Sequence, residues 1–293
     1  MADRRSWRTA VAGLALVTSV AAVSSGQVPP GRDSFDTVSI RERPRDSTGS
    51  LFVRVGPSSF SATNATVLEL IQNYFQIPEK QIIGISEKQI IGNLPGWAKS
   101  TRFDVVARAA GEPLTWTRLT AMIKTLLEDR FRLDASFERV TMSAYALVVA
   151  RSDGSSGPKL RPSQSNCEVD PPLMATPEQS VKIAVKIATT NRCGFRMVTS
   201  NGWLIMLSAA RATMDQFAGH LSRYGGFDRP VVNRTGLSGE FSLTVTTTAD
   251  MPGATRDTRF LTAMREQLGM TLRAEQLPVD VLRINRIERP SEN

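Results

Sequence analysis

Ala65-Thr-Val-Leu-Glu-Leu-Ile-Gln-Asn-Tyr-Phe75 and Ala212-Thr-Met-Asp-Gln-Phe-Ala-Gly-His-Leu-Ser-Arg-Tyr224 carry one pattern twice. In the first stretch Thr66 stands as N-cap with Glu69 three residues on, a capping box, and Val67, Leu68, Leu70, Ile71, Tyr74 and Phe75 follow at helical spacing. In the second, Thr213 and Gln216 form the same box, and Met214, Phe217, Ala218 and Leu221 make the apolar stripe. Two amphipathic helices with one start signal point to a repeated unit, and the flanking sequence extends the match.

Each helix leads through a glycine-containing turn into an alternating strand. Gly96-Trp97 precedes Phe103, Val105 and Ala107, and Gly236-Leu237 precedes Phe241, Leu243 and Val245. The first connection is nine residues longer, and eight of these follow from a tandem copy: Glu-Lys-Gln-Ile-Ile-Gly stands at 79–84 and again at 87–92. A second helix then carries Leu-Thr-Ala-Met in both units, at 119–122 and 261–264. Paired strand-like segments follow, 132–139 with 144–150 and 271–274 with 279–287. Hairpins open the units, around Gly56-Pro57-Ser58-Ser59 and around Ser200-Asn201-Gly202. The expected fold class is therefore α+β: two pseudo-repeated units side by side, each an antiparallel sheet with two helices packed on it.

The expected organisation is a signal peptide at 1–26, a first unit at 35–151, a linker with a cysteine pair at 152–193 and a second unit at 194–293. Residues 1–26 have a basic start (Arg4, Arg5, Arg8), an apolar stretch at 10–23 and small residues for cleavage, which reads as a secretory signal. About 14 apolar residues fall short of the roughly 20 that span a bilayer, so no transmembrane segment is expected in the mature chain. Cleavage would remove three Arg and one Asp, lowering the net charge from +8 to +6. The charges are scattered, without a basic run or an aromatic-and-basic RNA-binding signature, so nucleic acid is not an expected partner. Cys167 and Cys193 read as a disulfide of an oxidising compartment. Within the linker, Val-Lys-Ile-Ala at 181–184 is copied at 185–188, and loop insertions of this kind cost little stability.

Chemistry-bearing motifs are sparse. The chain has no His-Glu-x-x-His, Cys-x-x-Cys, EF-hand loop, P-loop, dinucleotide fingerprint or Gly-x-Ser-x-Gly, so no metal site or cofactor is expected. Ser156-Gly-Pro-Lys159 matches Ser-x-x-Lys in letters only, because its Gly and Pro deny it a helical start. The lone His220 could act as a general base oriented by Asp215 or Asp228. Its position at the edge of the apolar stripe, where the first unit has Asn73, favours a boundary polar residue instead. Trp97, Trp116 and Trp203 could form a carbohydrate or peptide platform, but each lies beside or within an expected core element.

The ordered set Phe35-Asp-x-Val-Ser-Ile40, Phe60-Ser-Ala-Thr-Asn64, Pro95-Gly-Trp97, Arg102-Phe-Asp104, Leu127-x-Asp-Arg-Phe131, Tyr145-Ala-Leu-Val-Val149, Gly157-Pro-Lys-Leu160, Arg229-Pro-Val-Val232, Thr235-Gly-Leu237 and Glu288-Arg-Pro-Ser-Glu-Asn293 resembles the soil-associated exported protein family, a domain of unknown function from soil bacteria. The resemblance spans nearly all of the mature chain. It implies no established activity, catalytic residue or cofactor, and fusions of relatives to membrane metallopeptidases imply a sensory or interaction role. The leading expectation is a non-catalytic binding or protein-interaction module of the cell envelope, periplasmic or extracellular, with an envelope protein or cell-wall polymer as partner. The alternatives are a hydrolase using acidic residues in a groove between the units, and a structural envelope protein. A pocket of convergent acids would favour the enzyme, and an exposed apolar or aromatic patch the interaction module.

Overall fold

Alternation at Phe103-Asp-Val-Val-Ala-Arg108 sets the first sheet: Phe103, Val105 and Ala107 are buried while Val106 and Arg108 point to solvent. This strand, β7 (Phe103–Arg108), lies between β1 (Thr37–Glu42) and β3 (Ser59–Ala65), and β2 (Phe52–Val55) completes the order β1-β7-β3-β2, antiparallel throughout. The computed structural model describes residues 33–44, 49–77, 82–168, 173, 193–200, 203–247 and 256–290. The signal-like stretch 1–26 and the copied tetrapeptides at 181–188 lie outside the described residues.

Helices α1 (Val67–Tyr74) and α3 (Trp116–Arg130) supply the other half of the first core. Val67, Leu70, Ile71, Leu119, Met122, Ile123 and Leu127 meet Phe60, Ala62, Val105 and Ala107 there. Phe103 and Phe131 sit edge to face at 5.4 Å, both fully buried. Each such side chain contributes about 1.5–3 kcal/mol by leaving water. The expected capping box is in place: Thr66 Oγ1 accepts the Glu69 N–H, and Glu69 Oε2 accepts the Thr66 N–H at 2.8 Å. Gly96-Trp97, expected as a turn, instead opens a short helix, α2 (Gly96–Ser100).

A second helix-backed sheet comes from the C-terminal part of the chain. Strands β9 (Leu160–Pro162), β10 (Phe195–Ser200), β11 (Trp203–Ala212) and β13 (Phe241–Thr246) form an antiparallel sheet in the order β10-β11-β13-β9. Helices α4 (Met214–Tyr224) and α5 (Arg256–Leu268) close its core with Met214, Phe217, Leu221, Phe260 and Met264. Thr213 and Gln216 form the second capping box. Both sheets shift register at the same point before the capped helix: between Ala62 and Ala65 against β7, and between Ala209 and Ala212 against β13.

The halves meet in a third sheet made of β6 (Ile90–Gly92), β8 (Asp134–Val149), β12 (Val231–Asn233) and β14 (Met270–Arg286), in the order β12-β8-β14-β6. Its centre is an antiparallel ribbon of two long strands, β8 (Asp134–Val149) and β14 (Met270–Arg286). Each was expected as two separate segments, and each is one strand. The apolar pattern breaks because a single strand serves two cores: Ala135 and Phe137 of β8 pack on the first, Tyr145 and Leu147 on the second, with exposed Arg139, Thr141 and Ser143 between them. Strand β14 does the reverse, with Met270 and Leu272 in the second core and Leu282 and Ile284 in the first. On the opposite face Ala144, Ala146, Leu277, Val279 and Val281 make a third cluster.

The ribbon is flanked reciprocally. Strand β6 (Ile90–Gly92), from the first half, runs parallel to β14, while β12 (Val231–Asn233), from the second, runs parallel to β8. The copied hexapeptide therefore builds structure rather than a plain loop. Its second copy forms β6, and Ile82 and Ile83 of its first copy form β5 (Ile82–Ile83), which pairs with β4 (Gln76–Ile77). Both copies end in a left-handed glycine, Gly84 at φ +86° and Gly92 at φ +90°. Together the described residues form a mixed α+β fold with three four-stranded sheets and five α-helices.

Two features lie in the segment expected as a linker. Cys167 and Cys193 form a disulfide with their Cα atoms 5.2 Å apart, and closing 26 residues of separation stabilises the fold by roughly 3 kcal/mol in the chain-entropy model. Gly157 and Lys159 donate their N–H groups to the carbonyls of Leu268 and Gln267, both at 2.8 Å, satisfying the C-terminus of α5. A Cβ at Gly157 would collide with the Gln267 carbonyl, which accounts for the glycine of the Gly-Pro-Lys-Leu run.

Candidate functional site

His220, on α4, sits against the edge strand β10. Its ring stacks on Phe195 at 4.4 Å and leans on Tyr224 at 4.8 Å, and Nε2 lies 3.2 Å from Met197 Sδ. Neither expected orienter joins it. Asp228 accepts from Tyr145 Oη at 3.0 Å and pairs with Arg229 at 2.9 Å, and these bonds, Arg229 first, hold its carboxyl below the usual range. Asp215 lies five residues before His220, about 140° away around the helix, and lines a separate cleft.

Burial pushes the His220 imidazole down from its ordinary 6.5 to about 4, so the ring is neutral at pH 7. The unfolded chain takes up this proton first. Stability from this group is therefore complete above about pH 6.5 and is lost as pH falls toward 4. Imidazole titration followed by NMR is expected to give a midpoint near 4, and a midpoint near 6.5 would contradict the stacked arrangement.

The cleft, of about 420 Å³ including its open mouth, lies where α4, β12, β14 and the connection carrying Gly84 and Gln89 approach one another. Asp215 and Asp280 are the acids on its wall. Most of its polar groups already hold the fold. Ser222 Oγ accepts the Val231 N–H at 2.6 Å and donates to the Val231 carbonyl at 3.0 Å. Asn233 Oδ1 accepts from the Thr235 N–H and hydroxyl, and Gln89 Nε2 donates to the Asp280 carbonyl. Asp280 itself pairs with Arg139 at 2.9 Å. Among the described residues no group of three or more His, Cys, Asp or Glu side chains is placed to hold a metal ion.

Trp97 and Trp116 each lie against an aromatic ring of the first core. Trp97 is half-buried edge to face with Phe103 and lies under the Arg289 guanidinium, while the Trp116 ring stands 6.4 Å from that of Tyr74. Trp203 belongs to β11.

What the structure does expose is a sheet face. Each helix-backed sheet keeps its other face free of described helices. On the first sheet this face carries Ser39 and Arg41 from β1, Val106 and Arg108 from β7, Ser61 and Thr63 from β3, and Phe52 and Arg54 from β2. Val106 lies between Ser39 and Ser61, and Ser61 pairs with Arg54. Phe52 is 54% exposed and Val106 51%, with the Arg54 guanidinium over the Phe52 ring at 5.2 Å. The second sheet offers a similar face, with Val198 beside Met206 and Arg196 beside Ser208. Sequence reasoning missed Phe52 and Val106. The available signal was Val106 itself, an apolar residue at an outward position of an otherwise alternating strand.

The motif Arg102-Phe-Asp104 acts next to this face as a clamp. Asp104 accepts from the Asn64 N–H at 2.9 Å and from Arg43 Nη1 at 2.8 Å. Arg102 Nη1 donates to the Asn64 carbonyl at 2.9 Å and to Glu69 Oε2 at 3.0 Å. These bonds fix Asn64 at φ +60°, where the register of β3 shifts before α1.

Two helix-backed sheets joined through a third, each with an open face, define a mixed α+β scaffold with broad surfaces and a small central cleft. Within that class the chain belongs to a family of proteins of unknown function, DUF3738, whose model matches residues 68–287, from α1 to just past β14. Comparison with curated proteins and with solved structures gives no match.

Proposed function

We propose that this protein is an exported, non-catalytic interaction module of the cell envelope that engages an envelope protein or cell-wall polymer through the open face of its first sheet. The carrying observation is the exposure of Phe52 and Val106 on that face among Arg41, Arg54 and Arg108. Aromatic residues and arginine are enriched where proteins meet, and apolar side chains surrounded by polar ones mark such surfaces. Export is supported by the signal-like start, by the resemblance to soil-associated exported proteins and by a disulfide suited to an oxidising compartment.

The same reading takes the chain as two copies of one unit, 35–151 and 194–293. The paired capping boxes, the matched register shifts and the reciprocal flanking of the ribbon by β6 and β12 support it.

The test uses the mature chain immobilised against detergent-solubilised envelope proteins and, separately, purified wall fragments. Capture by the wild type that falls about tenfold in the Phe52→Ser, Val106→Asp variant, with unchanged thermal unfolding, supports the proposal. Turnover of a wall polymer that disappears in Asp215→Asn or Asp280→Asn would overturn it in favour of the hydrolase.

A further inference from the structure

We propose that Met197 and His220 form a binding site for a soft monovalent metal ion, Cu(I). Both donors belong to the second half and are independent of the open face of the first sheet. A thioether and an imidazole are a donor pair that selects Cu(I) over harder cations, and Cu(I) accepts as few as two ligands.

The geometry fits one ion. With metal–sulfur and metal–nitrogen bonds of about 2.3 and 2.0 Å, donors 3.2 Å apart meet a common ion at an angle near 95°. Widening toward a linear arrangement needs a movement of about 1 Å. Met197 can supply it, because the side chain is unbranched, lies on an edge strand and is 41% exposed. The imidazole is held more firmly, between Phe195 and Tyr224. Binding requires the tautomer with hydrogen on Nδ1, which leaves the Nε2 lone pair directed at Met197. The nearby Arg223 opposes a bound cation, but its guanidinium donates to the Gln72 carbonyl and to Asn73 Oδ1 on α1.

The experiment is an anaerobic titration of the mature protein with Cu(I), and in parallel with redox-inert Ag(I), followed by NMR of methionine methyl and histidine ring signals. One equivalent is expected to move the Met197 methyl and the His220 ring, with Zn(II) leaving the methyl unmoved. Met197→Leu, which keeps the apolar contact, is expected to weaken Cu(I) binding about tenfold or more without changing the melting temperature. Cu(I)-induced shifts confined to other methionines, no shift at either residue, or unchanged affinity in Met197→Leu would each overturn the site.

Discussion

Gly92→Ala is expected to destabilise the protein by about 3 kcal/mol or more, because two costs coincide at this residue. The backbone holds φ +90°, and an added Cβ would lie 2.5 Å from the Ile284 carbonyl oxygen. That oxygen cannot yield freely. It accepts the Asn93 N–H at 2.8 Å, and Ile284 is fully buried in the first core. Relief therefore requires β6 to separate from β14, uncoupling a strand of the first half from a strand of the second. Gly111 separates the two costs, with φ +78° and nothing within 4 Å of an added Cβ. Gly111→Ala should lose about 1 kcal/mol, from backbone strain alone. Urea unfolding of the two variants measures the difference, and equal losses would mean that the close approach of β6 to β14 contributes nothing.

Arg102→Ala is expected to cost about 2–3 kcal/mol, since it strips one partner from a partly buried network rather than from a free surface pair. The lost guanidinium leaves the Glu69 carboxylate without its counter-charge and the Asn64 carbonyl without its donor. Glu69 must stay an acceptor for Thr66, so its charge rather than its hydrogen bond becomes the liability. Glu69→Gln, the residue type that Gln216 supplies in the second capping box, keeps the acceptor and removes the charge. In the Glu69→Gln background Arg102→Ala should cost at least 1 kcal/mol less. A double-mutant cycle reads this coupling directly, and a coupling near zero would show that the ion pair is inert.

The parts of this fold that sequence reveals are local ones. The Thr66 and Thr213 capping boxes, the hairpin of β2 with β3 and the alternation of β7 are each decided within a few residues, and each is found where its residues place it. What escapes reading is long-range. The ribbon of β8 and β14 looks like broken strands because the break in apolar pattern falls between two cores, which only the folded chain defines. Identical Gln-Ile-Ile-Gly sequences enter different sheets, since β5 finds β4 nearby while β6 finds β14, some 190 residues away. The candidate surfaces divide the same way. His220 was legible as a boundary residue, but its contact with Met197 depends on β10 reaching α4 across 23 residues. The exposure of Phe52 and Val106 depends on which face of the sheet the helices cover.

Photo-crosslinking in cells decides whether the open face of the first sheet meets a partner, with a photoreactive amino acid placed at position 106 in one strain and at position 275, on the exposed part of β14, in another. A discrete crosslinked product is expected from position 106, lost when Phe52 is changed to serine, and none from position 275. Products from position 275 alone, or a position 106 product indifferent to Phe52, would contradict binding through that face.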